Sequence, residues 1–103
     1  PIDVVVLGMG ADMHTASLFP GAPELSLAQD ARADAVMPMV PVGSDLEPRV
    51  TVSAQALDTA RQTHVLIIGE DKKLALAQAQ SLSPIDAPIA QFLPNATVHW
   101  SPV

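Results

Sequence analysis

The apolar residues of this chain fall into short runs separated by glycine, proline and polar clusters, and the runs carry two periods. Ile2 to Leu7 is almost continuously aliphatic, the pattern of a strand buried in a parallel sheet. It stops at Gly8-Met9-Gly10. The spacing predicts a loop over Gly8 to Asp12 and a short helix from His14 to Phe19, ended by Pro20-Gly21. Ala22 to Ala35 reads as irregular chain with one helical turn. Val36 to Val42 is apolar but interrupted by Pro38 and Pro41, which suits an edge strand or an extended loop. Val42 to Pro48 is rich in turn formers and is expected to be a loop.

In the second half, Arg49 to Ser53 alternates, with Val50 and Val52 facing one way and Arg49, Thr51 and Ser53 the other. That period predicts a strand with one polar face. Ala54 to Ala60 suits a helical turn. His64 to Ile68 is a second apolar strand, stopped by Gly69. From Asp71 to Leu82 the period lengthens, and Leu74, Ala75, Ala79 and Leu82 are expected to share one helical face. Ser83 to Ala87 reads as a turn, Pro88 to Phe92 as a short helix and Thr97 to Trp100 as a last strand. Strands alternating with helices predict an α/β fold, layered helix–sheet–helix with a mostly parallel, Rossmann-like sheet, in one domain over residues 1–103.

Composition narrows the classes of function. Eleven acidic and five basic residues give a net charge of −6, which repels polyanions, and nucleic acid is therefore not an expected partner. The aromatic residues are Phe19, Phe92 and Trp100, too few for a base-stacking surface. No apolar run approaches the ~18 residues of a membrane-spanning helix, so no membrane partner is expected. The absence of cysteine is compatible with a cytoplasmic location. A small anionic ligand would have to be held by backbone donors and a few of Arg32, Arg49, Arg61, Lys72 and Lys73.

Candidate chemistry concentrates where the first strand ends. Ligand sites of open α/β folds lie at the carboxyl edge of the sheet, and Asp12 and His14 are delivered there two residues apart. An imidazole titrates near pH ~6.5 in unperturbed peptides, so it can take and return a proton during ester hydrolysis. A carboxylate beside it fixes its tautomer and steadies the imidazolium. Each also has a plain structural use: His14 could cap a helix, and Asp12 could form an Asx turn or an N-cap. Gly8-x-Gly10 after a strand is half of a dinucleotide fingerprint, but that motif needs a third glycine where Met13 stands. His64 and His99 show no metal-ligand spacing and are expected at core or edge positions, and Met9, Met13, Met37 and Met39 in packing.

The block Gly8-x-Gly10-x-Asp12-x-His14-Thr15-Ala16-Ser17-Leu18-Phe19-Pro20-Gly21 resembles the signature segment of the 6-phosphogluconolactonases. The sister glucosamine-6-phosphate deaminases have a similar opening but continue Ile-Ala-Phe-Asn-Glu-Pro. The resemblance runs on through Pro48-Arg49-Val50-Thr51-Val52 and Val65-Leu66-Ile67-Ile68-Gly69-Glu70-Asp71-Lys72, and ends near Val98-His99-Trp100. It covers nearly the whole chain, but only the family's C-terminal part. The chain is therefore expected to be part of a larger domain whose earlier segment supplies a glycine and Ser/Thr phosphate loop.

The resemblance implies hydrolysis of a phosphorylated sugar lactone, 6-phosphoglucono-δ-lactone, to 6-phosphogluconate in the pentose phosphate pathway. In that reading His14 and Asp12 are catalytic. Gly8, Gly10, Lys72 and Arg49 bind substrate, Lys72 at a helix N-terminus where anions are favoured. No metal and no organic cofactor is implied. Arg49 could equally serve a structural ion pair, Lys72 could be a solvated surface lysine, and Lys73 is read as surface. The family usually has glycine where this chain has Met13; a positive φ there would strain the backbone by ~1 kcal/mol. Two alternatives follow from the same residues: an amino-sugar-phosphate isomerase or deaminase, and a non-catalytic portion of the lactonase. Self-association through an exposed sheet edge is a further expectation.

Overall fold

The structure, a computed structural model, describes residues 1–41 and 47–103. The loop expected over Val42 to Pro48 lies mostly outside the described residues. Three parallel strands form the main sheet in the order β1 (Val4–Leu7), β4 (Gln62–Ile68), β5 (Ala96–Ser101). Val4 pairs with Gln62 and Leu7 with Val65, while His64 pairs with Thr97 and Ile68 with Ser101. Between β1 and β4 the chain makes a helical turn α1 (Leu25–Ala28), an antiparallel hairpin of β2 (Val36–Met39) and β3 (Arg49–Val52), and a second turn α2 (Ala54–Leu57). The helix α3 (Glu70–Ala79) joins β4 to β5 through two short 3-10 turns, Pro88–Gln91 and Leu93–Asn95. The expected α/β architecture with a mostly parallel sheet is present, and Pro38 lies on a two-stranded ribbon where a missing N–H costs little. Among the described residues no helix is long and apolar enough to cross a membrane.

The core lies on one face of the main sheet. Leu7, Val65 and Ile67 point into it and meet Ala75, Leu76 and Ala79 of α3, Ile89 and Phe92 of the 3-10 segment, and Leu18, Phe19, Leu25 and Met39. Met9 is buried in the same cluster and Met13 and Met37 pack against it, as expected of packing residues. The opposite face is open. Val4 and Val6 are 52% and 61% exposed, and Leu66 and Ile68 53% and 62%. Burial of β1 on both faces, as its unbroken apolar run predicted, is therefore not observed. Alternation puts every second residue of a strand on the face that no described element covers.

The inner face of α3 differs from the sequence reading, while β3 keeps the expected alternation and turns its polar face inward. On α3 the buried stripe is Ala75, Leu76 and Ala79, whereas Leu74 is exposed and Leu82 lies beyond the helix end. Leu76, rather than Leu74, supplies the large side chain of the inner face. On β3 the polar residues point inward: Thr51 and Ser53 are buried, and Val50 and Val52 are exposed. Burial of hydroxyls is tolerable because both are hydrogen-bonded. Ser53 Oγ accepts from Ala56 N–H at 3.2 Å and so caps α2, and Thr51 Oγ1 donates to Val52 O at 3.0 Å and accepts from Ser17 N–H at 3.1 Å.

Candidate functional site

Because β1 and β4 are parallel neighbours, their carboxyl ends open on the same side of the sheet. The loop that follows β1 and the turn that follows β4 therefore share one edge, as the sequence pattern predicted. A cavity of about 380 Å³ lies there, lined by Gly8, Met9, Gly10, His14, Thr15 and Lys72 among others. Four of the six residues singled out for chemistry meet at this cavity: Gly8, Gly10, His14 and Lys72. Asp12 joins them through His14.

The loop is folded back on itself. Gly10 N–H donates to His14 O at 3.0 Å and Met13 N–H to Gly10 O at 2.9 Å. Within this loop Asp12 Oδ1 accepts twice from His14, from its backbone N–H at 3.1 Å and from ring Nδ1 at 2.5 Å. A carboxylate can only accept, so the ring carries its proton on Nδ1 and the neutral form leaves the Nε2 lone pair free. The His14 side chain is 30% exposed and that of Asp12 55%, which keeps the pair reachable from solvent. The ring lies over Gly10. A Cβ built there would run into His14 Cε1 and Nδ1 and stand 2.8 Å from Asp12 Oδ1. Gly10 is thus required by close approach rather than by a left-handed backbone.

The helix expected from His14 to Phe19 does not form. Met13 and Ala16 have φ of 73° and 50°, values a right-handed helix excludes. Instead Thr15 and Leu18 form an isolated bridge, with Leu18 N–H donating to Thr15 O at 2.9 Å. Two threonines hold this shape. Thr15 Oγ1 donates to Gly8 O at 2.7 Å, and Ser17 N–H is accepted by Thr51 Oγ1 from the hairpin. The strain anticipated at Met13 is present, and a second strained residue accompanies it. With no helix after the loop there is no helix dipole at His14. The N–H groups of Gly10, Met13 and His14 are all taken, so they are not among the backbone donors left to hold an anionic ligand.

Lys72 lies in the first turn of α3 and reaches the cavity wall. That turn also carries Glu70 and Asp71, so the helix N-terminus already has anionic company. Arg49 begins β3 and is not part of the wall; its guanidinium carbon sits 5.8 Å from the centroid of the Phe19 ring. Phe19 in turn packs its ring 4.7 Å from that of His14. The two cationic candidates thus occupy different places, one at the cavity wall and one over the Phe19 ring. The contacts of Phe19 with His14 and Arg49 were missed in the sequence, where it figures only in the aromatic count, the predicted helix and the signature block. His64 and His99 lie away from the site, with His64 Nδ1 3.0 Å from His99 Nε2 on the open face of the sheet. A separate depression of about 300 Å³ contains Leu27, Arg32 and Met37, but its arginine is engaged by Asp30 at 3.2 Å, and that bond holds the Asp30 carboxyl below its ordinary range.

Comparison with known proteins agrees with this fold. The family described as glucosamine-6-phosphate isomerases/6-phosphogluconolactonase matches residues 1–100. A 6-phosphogluconolactonase from Rhizobium meliloti is 39% identical over 108 residues, covering 99% of this chain and 46% of the relative. One from Mesorhizobium japonicum is 40% identical over 106 residues, covering 99% and 44%. The crystal structure of a 6-phosphogluconolactonase from Shewanella baltica superposes with a TM-score of 0.89 at 34% identity, over 97% of this chain and 44% of that one. The chain thus spans less than half the length of the relatives it matches. With the sheet order, the signature loop and this match in agreement, the chain belongs to the glucosamine-6-phosphate isomerase/6-phosphogluconolactonase family.

Proposed function

We propose that this chain carries the proton-transfer site of a lactonase that opens 6-phosphoglucono-δ-lactone to 6-phosphogluconate, as part of the cytoplasmic pentose phosphate pathway. The observation that supports this best is the Asp12–His14 pair beside a cavity that Lys72 also lines. In the reaction, His14 Nε2 removes a proton from water as the water oxygen bonds to the lactone carbonyl carbon. The tetrahedral oxyanion collapses, the ring C–O bond breaks, and the imidazolium gives its proton to the departing ring oxygen. Asp12 holds the ring through Nδ1 and offsets the positive charge that develops on it. Lys72 pairs with the phosphate, and Gly8, with open space above it, lets the substrate approach the backbone closely, whereas the His14 ring already covers Gly10. Arg49, which lies over the face of Phe19 and outside the cavity wall, is the less direct candidate for the phosphate.

A second reading has two observations in its favour. The open sheet face and the span of less than half a relative favour weak ligand binding by the 103-residue chain alone, with self-association through that face or the free edge of β1. Size-exclusion chromatography with light scattering measures the association, and a strictly monomeric chain would refute it. For the catalytic reading, residues 1–103 replace the matching segment of the Rhizobium meliloti relative, and the chimera is assayed for lactone hydrolysis. His14→Ala should lower kcat by about 10²- to 10⁴-fold; turnover within a few-fold of the parent would remove His14 from the mechanism. Ammonia release from glucosamine 6-phosphate would instead favour the deaminase alternative.

A further inference from the structure

We propose that Trp100 positions Lys72 for the phosphate of the substrate, acting through Gly69 and Lys73; this rests on the reading of Lys72 given above. The turn between β4 and α3 is Gly69, with φ 97° and ψ 160°. That region of backbone space is essentially reserved for glycine and is kept only where neighbours hold it. Here β5 does the holding. Gly69 N–H donates to Ser101 O at 2.9 Å, and Trp100 Nε1–H donates to Gly69 O at 2.8 Å. The same carbonyl also accepts the first helical bond, from Lys73 N–H at 3.3 Å, so the indole adds a bond that an ordinary helix start lacks.

The third contact sets the rotation of the helix. Lys73 Nζ lies 4.1 Å from the centroid of the Trp100 ring, within cation–π range. Successive residues of a helix point about 100° apart, a consequence of 3.6 residues per turn. The sheet order is β1-β4-β5 and α3 starts from the middle strand. Lys73 is drawn toward β5, and its neighbour Lys72 reaches the wall formed by the loop after β1. The adjacent lysines are divided between two tasks, and Trp100 decides which faces the cavity. Lys73, read from the sequence as a surface lysine, is part of this clamp.

Trp100 is the one tryptophan of the chain, so it gives a single indole N–H resonance. The ¹H–¹⁵N spectrum of the 103-residue chain is followed during titration with 6-phosphogluconate and, separately, with gluconate, which lacks the phosphate. The indole resonance should move with 6-phosphogluconate and stay in place with gluconate. Trp100→Phe, which keeps an aromatic ring but loses the donor, should weaken 6-phosphogluconate by about fivefold and leave gluconate within twofold, the size of effect expected of one charge-assisted contact loosened. An indole resonance indifferent to 6-phosphogluconate overturns the proposal even if the variant fails to fold. So does equal weakening of both ligands, which would mark lost packing. Lys72→Met serves as the reference. If it leaves the preference for the phosphorylated ligand intact, the phosphate role of Lys72 is wrong and the clamp has no object. If it abolishes the preference while Trp100→Phe does not, only the clamp is wrong.

Discussion

Two connections rise from the carboxyl edge of this sheet, and each uses a glycine for a different reason. After β1 the chain makes a long polar loop whose shape comes from side chains: Asp12 ties down His14, Thr15 reaches back to Gly8, and Thr51 grips Ser17. Gly10 is needed there because a ring lies on top of it. After β4 the chain turns at once into a helix, and Gly69 is needed because its φ of 97° suits no other residue well. The first connection holds the His14 ring over Gly10, with strain at Met13 and Ala16. The second is built to launch a helix, and its neighbours on β5 hold it still. One edge of one sheet thus joins an adaptable side-chain scaffold to a rigid backbone scaffold.

The contrast can be broken by adding one methyl group to each glycine. Gly69→Ala should have the larger effect on folding, lowering stability by about 2–3 kcal/mol because the backbone itself must pay the strain; urea unfolding of the 103-residue chain measures it. Gly10→Ala should cost less, about 1 kcal/mol, since the far end of a side chain can swing away from the new atom. Its signature is elsewhere: the His14 ring resonances should shift in Gly10→Ala and stay unmoved in Gly69→Ala. If Gly10→Ala proved the costlier of the two, its glycine would have a backbone role and the contrast would fail. The smallest expected effect sharpens the comparison from the other side. Met13→Gly relieves a left-handed methionine but adds freedom to the unfolded chain, so a net gain of about 0.5 kcal/mol is expected. A loss would mean that the packing of Met13 against the core outweighs its strain.

The regular parts of this fold were legible in the sequence. The apolar runs ending at Leu7 and Ile68, the Pro-interrupted strand at Val36 and the helix after Gly69 all lie where their periods put them. The Asp12–His14 pair was legible too, because two residues in one tight loop cannot be far apart. Three features were not. A helix from His14 to Phe19 satisfies local spacing, and only the positive φ of Met13 and Ala16 excludes it. The inward turn of Thr51 and Ser53 reverses the usual sense of alternation, because their hydroxyls have partners that the strand's own sequence does not name. Leu74 lost the inner face of α3 to Leu76, which shares it with Ala75 and Ala79, a rotation of the helix that periodicity alone did not choose. Phe19 and Trp100 escaped for a related reason: each matters through a neighbour distant in sequence, and periodicity is blind to such pairs.

The hydrogen bond from Ser17 N–H to Thr51 Oγ1 joins residues 34 apart, and this separation has a kinetic meaning. A bend held by so remote a partner cannot mature during the early, local stage of folding, since closing the intervening chain must come first. The ribbon of β2 and β3 has to dock before the Thr15–Leu18 bend acquires its final form. In pulse-labelling hydrogen exchange, the amide of Ser17 should gain protection later than the amides of α3.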